Sequence, residues 1–292
     1  MENLNIIIYD IFPFLIIFFY VVYIDVIKQI FNKYLAKYFK VDDENLKKLE
    51  IDLRLLKFAN NIEHLQDLKY RNEELKIIFI GTIIYLIILS VIVFIIAPHY
   101  SYNLIEYVKL NSESILFCTI KSIILITNLI VLYAGQLIEY YHYEINPLTS
   151  KNGIRFFMEN IYAPIIEEFM FRFIAFNILK INGHSSVMSA LINSLMFGIA
   201  HLRHIFDRNF NINRTLFQII YTFIFGVYSS YAYIYSNNLI CPIILHIICN
   251  CLHIPPFYYI NDEKYPRKLK ILTSIIYILG ILGFIILTYI FH

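Results

Sequence analysis

Three short stretches of this 292-residue chain set polar groups inside otherwise apolar sequence, each in a pair of residues four apart. Pro164-Ile165-Ile166-Glu167-Glu168-Phe169-Met170-Phe171-Arg172 holds two carboxylates and an arginine. Phe197-Gly198-Ile199-Ala200-His201 ends on an imidazole, and His246-Ile247-Ile248-Cys249-Asn250 joins a second imidazole to a carboxamide. Helix positions i and i+4 share a face, so each pair presents both members to one side. Adjacent helical residues diverge by about 100°, so Glu167 and Glu168 cannot do the same job. Glu168 precedes Arg172 by four residues, the favourable order for an ion pair, and is the supporting partner. Glu167 has no compensating charge along its own helix, which is the position of a general base. One imidazole of His201 and His246 facing Glu167 could share a water with it, while the other and the Asn250 carboxamide could hydrogen-bond a developing oxyanion, and these are the parts of a water-activating hydrolase. Pro164 donates no backbone hydrogen bond and is expected to kink its helix beside the glutamates.

The elements that must position these residues are membrane helices. The chain is 59% hydrophobic and 16% charged, with a mean hydropathy of +0.63, which excludes an ordinary water-soluble domain. A net charge of +2 gives no reason to invoke nucleic acid. Apolar runs near residues 5 to 24, 77 to 97, 115 to 134, 156 to 179, 185 to 203, 215 to 236, 238 to 258 and 271 to 291 are each about long enough to span. In lipid each span must satisfy its own backbone, so the predicted fold is all-α, a polytopic bundle of about eight transmembrane helices in one integral domain, 1–292. The first run carries Asp10 and no small-residue cleavage site, so it reads as a span rather than a removable leader. Four cysteines in or beside apolar runs, without CxxC spacing, argue against a disulfide scaffold.

Residues 28–76 hold 20 of the 46 charges. Leu46, Leu49, Leu53 and Leu56 recur there at helical spacing, which predicts a charged, amphipathic cytosolic insertion to which no chemistry is assigned. Lys and Arg are plentiful in that segment and around residues 151–155, 203–214 and 264–270, and scarce in the intervening loops. The positive-inside rule then puts the rich loops in the cytosol and both termini opposite. His201 falls near the cytosolic end of its span, so the polar cavity is expected to open to the cytosol.

Three motifs in this order resemble the CAAX-protease and bacteriocin-processing superfamily of intramembrane peptidases, whose pattern is Glu-Glu-x3-Arg, Phe-x3-His and His-x3-Asn. All three are intact. Their surroundings look most like the eukaryotic branch, the Ras-converting CAAX endopeptidases, over about residues 155–256, the catalytic core helices. The resemblance implies an eight-helix bundle in the endoplasmic reticulum membrane that removes the last three residues of prenylated CaaX proteins. Glu167 and His201 would activate water, and His246 and Asn250 would stabilise the tetrahedral intermediate. The partners implied are prenylated CaaX C-termini and membrane lipid, with no cofactor and no metal. Phe169, Phe173 and Tyr221 are candidates for the wall of a prenyl groove.

Two other readings stay open on the residues. Glu167, His201 and His246 could ligate zinc with one open position, although no HExxH occurs. The same Glu, Arg and His could serve a transporter as a proton relay, or a catalytically silent scaffold as structure. No inverted repeat between the halves supports a transporter.

Overall fold

A computed structural model describes residues 76, 79–85, 87, 113–147, 156–202 and 211–290. The expected first span, the insertion at 28–76 apart from Lys76, and most of the second span lie outside the described residues. The chain divides into two compact units, residues 1–102 with 153–158, and residues 103–152 with 159–292. In the first unit the described residues 79–85 are helical. The second unit holds all three motifs.

That unit is helical, with no strand among the described residues. Helix α1 (Ile115–Leu132) is followed after Tyr133 by α2 (Ala134–His142). The expected span at 156–179 is a continuous rod of changing pitch: a π turn π1 (Met158–Tyr162), α3 (Ala163–Glu168), a second wide segment π2 (Phe169–Phe176) and α4 (Asn177–Ile181). Pro164 sits at the start of α3, where its missing N–H falls between the two pitches. Wide turns of this kind gather at functional positions. Next come α5 (Ser186–Ala200), α6 (Ile212–Ser236), α7 (Ile240–Leu252), the single turn α8 (Tyr258–Asn261) and α9 (Arg267–Ile290).

Among the described residues, α1 and α9 are long and apolar enough to cross a membrane, and α5 and α7 are apolar but shorter. The count of spans is therefore two by that measure, against the six expected between residues 115 and 291. Helix α6 has the length, 25 residues, but carries a polar side that includes the buried Thr222, Ser229 and Ser230. Helix α7 stops at Leu252, short of the expected 258. The Leu252 carbonyl accepts from Gln136 Nε2 and from the Tyr140 hydroxyl, the latter at 2.7 Å, so α2 closes the end of α7 from outside. Pro255 and Pro256 follow, where a helix cannot continue.

Small residues let the helices approach closely, as they do in membrane bundles. A Cβ on Gly226 of α6 would come within 3.1 Å of Ser194 on α5, and one on Gly198 of α5 within 3.0 Å of the Ile219 carbonyl. These contacts run in opposite senses along the two chains, so α5 and α6 are antiparallel. Ser185 caps α5 by accepting from the Met188 N–H, and Asn211 caps α6 by accepting from the Arg214 N–H. The N-terminus of α6, which borders the site, is therefore fixed locally.

Candidate active site

The two glutamates face opposite ways. Glu168 is fully buried and its carboxylate gathers three partners from three helices. Arg172 Nε of π2 lies 3.1 Å from Oε2, Ser229 of α6 donates to Oε2 at 2.7 Å, and His246 Nδ1 of α7 donates to Oε1 at 2.8 Å. Arg172 is equally buried. It also donates through Nη2 to the Gly226 carbonyl at 3.2 Å, and its guanidinium carbon lies 4.8 Å from the centre of the Phe197 ring. Within the low-dielectric interior a carboxylate and guanidinium that lose water must find such partners.

Glu167 instead lines a cleft of about 470 Å³. Its carboxylate stands 3.8 Å from His246 Nε2, so the His246 ring bridges the two glutamates, one on each nitrogen. His201 and Asn250 line the same cleft with His246, Phe197, Phe225 and Glu159. The His201 Nδ1 atom lies 2.9 Å from the Phe197 carbonyl. A carbonyl only accepts, so Nδ1 carries the proton there and Nε2 carries the lone pair of the neutral ring. Asn250 Nδ2 donates to the Glu159 carbonyl at 3.1 Å, which ties the α7 carboxamide to π1. That bond uses one of its two amide protons. Phe197 is the ring around which the two imidazoles are set, His201 edge-on at 5.2 Å and His246 at 5.9 Å, with Phe171 edge-on against it at 4.9 Å.

The structure thus brings Glu167, His201, His246 and Asn250 to one cleft and puts Glu168 and Arg172 behind its wall. Tyr221 lines the cleft. Phe169 and Phe173 do not: their rings stack on each other at 5.2 Å, because residues four apart in π2 turn together away from the Glu167 side. Sequence reasoning missed Ser229, whose one signal is a pair of small polar residues, Ser229-Ser230, in the middle of a long helix. It also missed Arg214, Phe217, Gln218 and Thr222, which with the expected Tyr221 make the cleft-facing side of α6, where polar and aromatic side chains recur every three to four residues. Among the described residues no three His, Cys, Asp or Glu side chains are grouped to hold a metal ion.

With three motifs converging on one cleft, the comparison with known families falls on the same segment. Residues 150–252 match the model of the family Type II CAAX prenyl endopeptidase Rce1-like. All seven motif side chains lie within that match, and it agrees with the resemblance read from the motifs. The chain is 29% identical over 150 residues to CAAX prenyl protease 2 of Arabidopsis thaliana, covering 49% of this chain and 46% of that protein. It is 30% identical over 149 residues to CAAX prenyl protease 2 of Saccharomyces cerevisiae, covering 44% and 47%. It is 27% identical over 143 residues to CAAX prenyl protease 2 of Homo sapiens, covering 46% and 42%. The chain spans about half the length of the curated relatives it matches. No solved structure matches it.

Proposed function

We propose that this chain is an intramembrane endopeptidase that removes the C-terminal tripeptide from prenylated CaaX proteins, using water activated by Glu167 and His201. The observation that carries the reading is the meeting of Glu167, His201, His246 and Asn250, from three separate helices, on one cleft. The family match over residues 150–252 and the relatives named CAAX prenyl protease 2 supply the substrate class.

The chemistry follows from the donors and acceptors. Glu167 and the His201 Nε2 lone pair hold a water between them and take its proton as the oxygen attacks the carbonyl carbon of the prenylcysteine. The carbonyl electrons move to oxygen, and the oxyanion accepts from the second Asn250 amide proton and from His246 Nε2. The His246 Nδ1 proton is committed to Glu168, so Nε2 donates when the ring carries both protons. Collapse of the intermediate breaks the C–N bond, and the proton taken from water goes to the leaving amine. The products are the prenylcysteine carboxylate and a free tripeptide. Glu168 acts on this step through His246, which it orients, and Arg172 through Glu168.

The same reading places the bundle, of about eight spans, in the endoplasmic reticulum membrane, its cleft open to the cytosol, with neither metal nor cofactor in the reaction. The test is incubation of membranes carrying the full chain with a farnesylated CaaX peptide and with its unprenylated twin. Release of the intact tripeptide from the prenylated peptide is the expected result. Burying an isoprenoid gains roughly 25 cal/mol per Å² of apolar surface, so the twin is cleaved far less efficiently. Absence of tripeptide release overturns the peptidase reading, and equal cleavage of both peptides overturns prenyl recognition.

A further inference from the structure

We infer that Arg214 is the anchor for the free C-terminal carboxylate of the substrate, which fixes where the bond is cut. This rests on the peptidase reading above and names a binding group it does not contain. Arg214 is the sole Lys or Arg among the residues that line the cleft. Its backbone N–H is held by the Asn211 side chain at 3.1 Å, and its guanidinium makes no hydrogen bond or ion pair among the described residues. The acidic groups of the wall are the Glu159 and Glu167 carboxylates, and its three imidazoles are those of His201, His246 and His253. Arg214 is therefore the permanently charged cation that this cleft offers a peptide terminus.

The spacing fits a tripeptide. Ser194 of α5 packs at Gly226 of α6, and Gly198 at Ile219, so His201, just past the end of α5, comes level with the turn holding Phe217 and Gln218. Arg214 lies one turn further out, about 6 Å along the helix axis. At the inner end Phe225 packs on His246, ring centres 4.8 Å apart. Three residues in extended form reach at most about 10 Å. A carbonyl held between Glu167 and the oxyanion donors then leaves the third following residue with its carboxylate within the sweep of the long Arg214 side chain. Arg presents a planar fork of donors that matches a carboxylate. Gln218, four residues on and on the same side, adds a neutral donor at the cleft wall.

The experiment compares two farnesylated peptides of identical sequence, one ending in a free carboxylate and one in a C-terminal amide, with the full chain in membranes. The unsubstituted protein is expected to cleave the amide with kcat/KM lower by roughly 10- to 100-fold, the range for a charge-assisted contact. Arg214→Gln lowers the carboxylate substrate to the level of the amide through KM, with kcat kept and the amide unaffected, and Arg214→Lys restores part of the difference. Equal turnover of the two peptides by the unsubstituted protein overturns the anchor while the peptidase reading stands. So does an Arg214→Gln loss of the same size on both peptides. Cleavage of neither peptide by the unsubstituted protein removes the peptidase reading and the anchor with it.

Discussion

Replacing Glu168 by Gln separates the group that holds the site together from the group that does the chemistry. The carboxylate accepts from Ser229 and His246 and balances Arg172, all within the fully buried wall behind the cleft. A carboxamide has one accepting oxygen and one donating nitrogen. With its oxygen on His246, its nitrogen keeps Ser229 only by donating to the hydroxyl, and it turns that donor on the Arg172 guanidinium, which is left without a counter-charge. Removing one partner of a buried ion pair costs about 3–5 kcal/mol. Thermal unfolding in detergent reads that loss, and tripeptide release reads turnover. Both are expected to fall in Glu168→Gln. The decisive comparison is the double variant Glu168→Gln with Arg172→Met. Taking away the second charge of a buried pair recovers much of the stability, but His246 still lacks a full carboxylate at Nδ1, so turnover stays low. If the double variant recovered turnover together with stability, Glu168 would act only through packing and the positioning of His246 would be refuted.

Glu167→Gln and His201→Ala are each expected to abolish tripeptide release with unfolding temperatures close to that of the unsubstituted protein, because Glu167 lines the open cleft with His246 Nε2 3.8 Å from its carboxylate, and His201 stands just past the end of α5. Destabilisation on the scale of Glu168→Gln in either would show that the two glutamates have exchanged roles. Asn250→Ala removes one oxyanion donor and its tether to Glu159, and turnover is expected to fall ~100- to 1000-fold with a residue of activity left; complete retention would take Asn250 out of the reaction. Exhaustive chelation is expected to leave tripeptide release intact. Loss restored by zinc would make Glu167, His201 and His246 ligands in place of a directly acting set.

Much of the local arrangement could be read from spacing. The 100° step between adjacent helical residues separates Glu167 from Glu168, and the structure has one on the cleft and the other inside the wall. The i, i+4 rule joins Glu168 to Arg172 and sets Phe197 with His201, and all of these are contacts within one helix. Contacts between helices were out of reach. His246 is paired in sequence with Asn250, yet its strongest bond is to Glu168, 78 residues earlier. Ser229 has no periodic signal, since a hydroxyl that serves one buried carboxylate looks like any small packing residue. Arg214 was legible only as a topogenic charge, because its meaning depends on α5 ending level with the second turn of α6. The wide pitch of π1 and π2 was announced by no more than Pro164, since pitch is set by what packs around the rod as much as by its own residues.

The division of labour between neighbouring glutamates bears on how this segment can change in length. Glu167 and Glu168 address opposite sides of one wall only while α3 keeps its rotational phase. A single codon gained or lost between Pro164 and Glu167 turns everything beyond it by about 100°. Glu167 then leaves the cleft, Glu168 turns with Arg172 away from Ser229 and His246, and no point substitution elsewhere restores both. The Asn182–Ser185 connection, with Gly183 at φ 91° and open space where a Cβ would stand, carries no such phase. Lineages of this chain should therefore vary in length at that turn and be gapless from Ala163 to Arg172, a pattern that any collection of related genes can be asked to display.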